Sequence, residues 1–148
     1  MIKGHVIFDF DGTLSNLDHR LHHVAGPAKN WDAFFDAVGG DSPNDWCVQL
    51  MHAMSLSGYI IVIVSGRTER TRAASVEWLK KHHVTYDDLV LVRKDGDHAP
   101  DDLLKENWLK AYSHANDIEF VVDDRQRFVD MWRRNGLVCL QCAQWEEK

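Results

Sequence analysis

Two aspartates spaced two apart, Asp9 and Asp11, follow the apolar run Val6-Ile7-Phe8 and precede Gly12. On an extended chain such residues point the same way, so both carboxylates can face one pocket. Like charges this close repel, and a cation or a shared proton must relieve them. A hard divalent ion with oxygen ligands, Mg2+, is the natural relief. The same stretch also reads as a hairpin, because Asp11-Gly12 is a favourable tight turn.

Four other groups of residues could do chemistry. Ser65-Gly66-Arg67-Thr68 follows the most β-prone run of the chain and leads into a helical pattern. Unpaired N–H groups and the helix dipole would make an anion site there, and Arg67 adds a two-pronged fork for phosphate. Asp101 and Lys105 lie four apart at a helix start, so they meet on one face. They are either a surface ion pair worth little or an aspartate holding a lysine aimed at an anion. Asp123-Asp124 ends another apolar run and invites a cation. Arg20 could meet a phosphate from the segment after Leu14, where His19, His22 and His23 lack the further ligands of a zinc set. Cys139-Leu-Gln-Cys142 has redox-like spacing but no helix N-terminus to activate a thiol, so it reads as structural.

The elements that must position these groups alternate. Strands are expected at His5–Phe8, Tyr59–Val64, Leu89–Val92, Glu119–Val122 and Leu137–Leu140. Helices are expected at Trp31–Val38, from Ser42 as cap and Pro43 as first residue to Gly58, at Glu69–Lys81, at Asp101–Tyr112 and at Arg127–Asn135. Leu104, Trp108, Ala111 and Tyr112 would line the inner face of the fourth helix, and Phe128, Val129 and Trp132 that of the fifth. Val48, Met51, Ala53 and Met54 would stripe the second. The tail Trp145–Lys148 reads as frayed. Such alternation implies an α/β fold with a mostly parallel sheet and helices on both faces, in which ligands bind beyond the carboxyl ends of the strands. Three of those ends carry unusual chemistry, and a hairpin at Asp11-Gly12 would not account for the other two. Acids, an anion loop and a lysine together suggest Mg2+ and phosphate.

Length suits one domain: 148 residues can bury a sizeable core. No apolar run approaches the roughly 20 residues of a membrane helix, no signal peptide opens the chain, and three cysteines are an odd count. A cytoplasmic protein without membrane contact is expected. The net charge of −6 disfavours a long track along nucleic acid, but not an enzyme that touches only a chain end or a small ester.

With these residues in place the sequence resembles the haloacid dehalogenase superfamily of phosphohydrolases. Asp9-x-Asp11-Gly12-Thr13 matches its first motif, Ser65 its second, Lys105 its third and Asp123-Asp124 its fourth. A closer resemblance is to the 3′-phosphatase half of phage-type polynucleotide kinase. That family places an arginine where Arg20 stands, Ser-Gly-Arg at Ser65 to Arg67, Asp-x-x-x-Lys at Asp101 and Lys105, and Asp-Asp-Arg with a Met-Trp-Arg-Arg helix at Asp123 to Arg125 and Met131 to Arg134. No Gly-x-x-x-x-Gly-Lys-[Ser/Thr] occurs, so the resemblance does not extend to the ATP-binding kinase half or its 5′-kinase activity.

The resemblance implies a Rossmann-like doubly wound, mostly parallel five-stranded sheet, residues 1–148 forming one phosphatase domain with a small helical cap insert at about 15–58. It implies an aspartyl-phosphate mechanism with Asp9 as nucleophile and Asp11 as acid and base. Mg2+ would be held by Asp9, the Asp11 main-chain carbonyl and Asp124, with Asp123 acting through water. Ser65, nearby backbone N–H groups and Lys105 would hold the phosphoryl oxygens. Asp101 would orient Lys105, while Arg20, Gly66 and Arg67 would help bind substrate. The implied substrate is the 3′-phosphate of a DNA or RNA end, which a small cap leaves room for; the acidic charge pulls toward a mononucleotide or other small ester. A further alternative is a non-catalytic domain that docks on a nucleic-acid repair kinase or ligase.

Overall fold

A computed structural model describes residues 1–144; the tail expected to fray, Trp145–Lys148, lies outside the described residues. Strand β1 (Gly4–Phe8) is buried along its whole length. Short strands β2 (Ser15–Asn16) and β3 (Ser42–Pro43) pair antiparallel at the base of an excursion that carries helix α1 (Trp31–Asp36). There follow α2 (Asp45–Leu56), β4 (Tyr59–Thr68), α3 (Arg72–Lys81), β5 (Asp88–Arg93), α4 (Asp101–Ala111), β6 (Ile118–Asp123), α5 (Gln126–Arg134) and β7 (Cys139–Gln141).

Five strands form one sheet in the order β5-β4-β1-β6-β7, every pairing parallel. Side chains alternate across it. Val6, Phe8, Ile61 and Ile63 pack on one face against Cys47 and Met51 of α2 and Trp78 and Leu79 of α3. Ile7, Val62, Val64 and Val121 pack on the other against Leu109 of α4 and Phe128, Val129 and Trp132 of α5. Both faces are therefore covered, as unbroken β-branched strands require. From central β1 the chain reaches β4 on one side and β6 on the other. The crevice at the carboxyl end of β1 is thus the switch point where such sheets bind ligands.

Four local expectations are corrected. Ser42-Pro43 does not start α2; it extends to pair with Ser15-Asn16, and the helix begins at Asp45. Because α2 packs on the sheet, the excursion over the strand ends is residues 15–43, narrower than the 15–58 insert expected. Strand β4 runs on through Ser65 to Thr68, and a 3-10 turn at Glu69–Thr71 separates it from α3. The Ser65-Gly66-Arg67 segment is therefore strand, not a helix N-terminus. On α4 the buried residues are Lys105 and Leu109, while Leu104 and Trp108 are half-buried and Ala111 is exposed. Among the described residues no helix is long and apolar enough to cross a membrane.

Candidate active site

The site has an acidic half and an arginine half. In the first, β1 delivers Asp9, β6 delivers Asp123 and Asp124, and α4 delivers Lys105. Oxygens of the three carboxylates lie within 4.8 Å of one another, and all three residues are buried. Lys105 is fully buried; its Nζ donates to Asp9 Oδ1 at 2.7 Å and to Asp123 Oδ2 at 3.3 Å. Trp132 Nε1 donates to the same Asp123 oxygen at 3.0 Å, and the Asp124 N–H to the other at 2.8 Å. Thr13 Oγ1 stands 3.2 Å from Asp9 Oδ2 and 3.4 Å from Asp124 Oδ1.

Three carboxylates face one ammonium here, and the protonation equilibria register the excess. Burial, then the neighbouring Asp123, pushes Asp9 well above the usual carboxylate range, against the pull of Lys105. The same two causes raise Asp124 to about 6. Burial acts to deprotonate Lys105, but Asp123 and Asp9 outweigh it and hold the ammonium above its ordinary value. Asp124 Oδ2 is buried without a hydrogen-bond partner, a costly state for an ionised oxygen. An all-oxygen set with surplus negative charge and one unpartnered oxygen fits a hard divalent cation.

The arginine half is balanced. Asp11 Oδ1 accepts from Arg20 Nη2 at 2.7 Å and from Arg67 Nε and Nη2 at 3.1 and 2.9 Å. Behind it, Asp41 accepts from Arg20 Nε and Nη2 at 2.8 Å each, Arg67 Nη2 at 3.3 Å and Ser15 Oγ at 3.1 Å. Its carboxylate also contacts His19 Nε2 at 2.7 Å. Arg67 stacks over Phe10 at 3.7 Å and gives its last amino group to Ser75. Burial alone would raise Asp11, yet Arg67 and Arg20 overcome it and hold the carboxyl down at about 2.

Arg20 and Arg67 were expected to bind substrate. Both are fully buried, with their N–H groups spent on Asp11, Asp41, Ser75 and the Phe34 carbonyl. The structure places them behind Asp11, not in front of the site. Asp101 departs likewise. It makes an ion pair with Arg93 of β5, and its Cγ would lie 2.9 Å from a Cβ added to Gly66. Asp101 thus packs beside Gly66, whose carbonyl accepts from Arg93 Nε at 3.1 Å, and Asp9 and Asp123 hold Lys105 in its stead.

Ser65 is buried, and its Oγ accepts from the Arg67 N–H at 3.2 Å. Asp9, Asp11, Ser65 and Gly66 form the floor of a cleft of about 600 Å³ that runs beneath the residues 15–43 excursion. His22 and His23 pack on each other, and the histidines of that segment form no metal-binding group among the described residues. Burial pushes the Cys139 and Cys142 thiols up to about 12, consistent with structural thiols. Thr13 enters the sequence reading only as the last residue of the first motif, with no role of its own, and two site residues carry no signal there. Arg93 ends a strand as an ordinary cation. Asp41 lies between a 3-10 turn and β3, where no periodic pattern marks it.

The family model for the polynucleotide kinase PNKP phosphatase domain matches residues 3–146. The chain belongs to that family. It is a haloacid dehalogenase-type phosphatase domain, of a superfamily that generally uses Mg2+. A chain of the Pnkp1/Rnl/Hen1 RNA repair complex is similar at a TM-score of 0.83 and 28% identity, over 99% of this chain and 44% of that one. A second Pnkp1/Rnl/Hen1 complex gives 0.81 and 29%, over 99% and 48%. This phosphatase domain therefore spans less than half the length of those chains. The D,D-heptose 1.7-bisphosphate phosphatase of B. bronchiseptica, complexed with magnesium and phosphate, shares the fold at a TM-score of 0.60 and 12% identity, over 93% of this chain and 79% of that one.

Proposed function

We propose that this domain is a Mg2+-dependent phosphomonoesterase that forms an aspartyl-phosphate on Asp9 and removes the 3′-phosphate from nucleic-acid ends. The observation that carries the reading is the buried Asp9/Asp123/Asp124 set with Lys105, which meets the Ser65 cleft through Asp9 at the sheet's switch point. In the first step an Asp9 oxygen bonds to phosphorus as the ester P–O bond breaks, and Asp11 protonates the leaving oxygen. In the second, water attacks phosphorus, Asp11 takes its proton, the Asp9–P bond breaks and inorganic phosphate departs. Ser65 and Lys105 hold the phosphoryl oxygens, where charge spreads during transfer. Asp9, Asp124 and the Asp11 main-chain carbonyl, with Asp123 through water, would hold Mg2+, which would supply charge to offset that on the nucleophile and the phosphoryl group.

Asp11 in the grip of Arg20 and Arg67 is a weak proton donor, with its carboxyl near 2. Proton transfer to a leaving oxygen requires it to turn out of that grip toward the cleft, where its side chain is already 23% exposed. A second reading, a mononucleotide or other small ester as substrate, is favoured by the net charge of −6. A third, a docking domain without turnover, draws on the assemblies with Rnl and Hen1 that name the two similar structures.

The test is phosphate release with Mg2+ from 3′-phosphorylated DNA and RNA, 5′-phosphorylated ends, mononucleotides and an aryl phosphate. We expect turnover highest on 3′-phosphorylated ends, reduced to background in Asp9→Asn with the fold retained. Turnover persisting in Asp9→Asn discards the mechanism. A preference for mononucleotides favours the second reading, and no turnover on any ester favours the third.

A further inference from the structure

The cleft continues past Asp9 and Ser65, and its far wall changes character. Trp31, Phe34 and Phe35 of α1 line it, with Leu17, Leu21 and Val24. Trp31 keeps 44% of its surface exposed although it is the largest side chain on that wall. Phe34 props its ring edge-on, with centroids 5.6 Å apart and planes at 89°, and Phe35 lies beside it at 6.1 Å and 29°. Lys29 Nζ lies 5.9 Å from the centroid of the same ring. An indole fixed by two neighbours and lining the cleft offers a flat, low-entropy surface.

The chemistry around this wall narrows what it could take. A phosphate group occupies a small part of a cleft of about 600 Å³, whereas volumes of this order hold organic ligands of nucleotide size. The rim is charged and not apolar. Asp32 stands on α1, Asp95 and Asp97 follow β5, and Arg125 and Arg127 lie at the β6 side. A greasy ester would leave that rim unmatched. A planar heterocycle on the indole, a sugar against the rim and a phosphate on the Asp9–Ser65 floor would match all three surfaces.

We infer that Trp31 is a stacking platform for the base of the nucleotide whose phosphate is removed. The inference rests on the 3′-phosphatase reading and adds a base-binding subsite to it. Stacking on an aromatic side chain tolerates every base, so the subsite selects for the presence of a base and not for its identity. Its contribution falls on binding and so on KM, because Trp31 lies on the wall and not among the groups around Asp9.

The test compares two oligonucleotides that carry the same 3′-phosphate, one ending in a natural nucleotide and one in an abasic sugar. We expect kcat/KM to favour the based end by about tenfold, within the range for one stacked base. Trp31→Ala should bring the ratio toward one through KM, and Trp31→Phe should restore most of it. A natural protein that does not distinguish the two ends overturns the inference, as does a ratio that survives Trp31→Ala. The 3′-end reading fails separately, if the natural protein prefers nucleoside 5′-phosphates. A Trp31-dependent preference for those over ribose 5-phosphate would then uphold the subsite without that reading.

Discussion

Asp9 and Asp11 stand two residues apart on one turn of chain, yet the fold gives them opposite surroundings. Asp9 shares its space with two further carboxylates and one ammonium, and burial drives its pKa up. Asp11 and Asp41 share theirs with two guanidiniums, and the Asp11 pKa falls to about 2. The acidic half is a site with a charge missing, and the arginine half is already neutralised. A charge-deficient candidate metal centre and a neutralised ion cluster are built here from the same residue types. What separates them is the count of opposing charges within reach and the orphaned oxygen of Asp124.

That contrast can be attacked directly, and the largest effect is expected in the arginine half. Asp41→Ala leaves Arg20 and Arg67 buried against Asp11 alone, and breaking such a cluster costs about 3–5 kcal/mol. Urea unfolding should show a loss of that order. A loss under about 1 kcal/mol would mean that the guanidiniums do not depend on Asp41.

The next effect separates the halves by the sign of their response to pH. Without a divalent ion, folded Asp9 and Asp124 keep protons that the unfolded chain has released. Their contribution to stability therefore falls as pH rises from about 4 through about 6, the value for Asp124, and beyond. Asp11 behaves inversely: its contribution is present above about 4 and is lost as pH falls toward 2. Saturating Mg2+ should remove the decline above pH 4 and leave the acid limb untouched. It should also raise stability by about 2.7 kcal/mol at a hundredfold excess over Kd, a gain lost in Asp124→Asn. Thermal melts in chelator and in Mg2+ across pH 3–8 would show both, and an Mg2+ effect unchanged in Asp124→Asn would break the comparison.

The smallest effect sharpens it. Arg70 also pairs with two aspartates, Asp32 and Asp36, but its side chain is 37% exposed and theirs are 85% and 74%. Solvent screens such pairs, so Arg70→Ala should shift unfolding stability by no more than about 1 kcal/mol. A larger loss would show that burial is not what distinguishes Arg20 and Arg67.

Much of this was legible in the chain. Tyr59 to Val64 could be little other than a buried strand, and the three acidic or hydroxyl strand ends fell together as parallel topology requires. The misses share a physical cause, which is that long-range partners decided them. Pro43 fits a helix start as readily as an extended pair, and Ser15-Asn16, far away in sequence, settled it. Asp101 and Lys105 meet on an isolated helix, but Arg93 and the Asp9–Asp123 pair outbid the local contact. Arginines near an expected phosphate site look like ligands in a sequence, and Asp41, which captures both, carries no pattern that announces it.

The central place of β1 has a consequence for how the protein is made. The ribosome delivers Val6-Ile7-Phe8 well before its two neighbours in the sheet, β4 and β6. Throughout that interval a fully apolar segment has no native partner and is open to pairing with other nascent chains. Asp9 and Asp11 close that segment with two negative charges, the kind of flanking charge that disfavours association of exposed apolar strands.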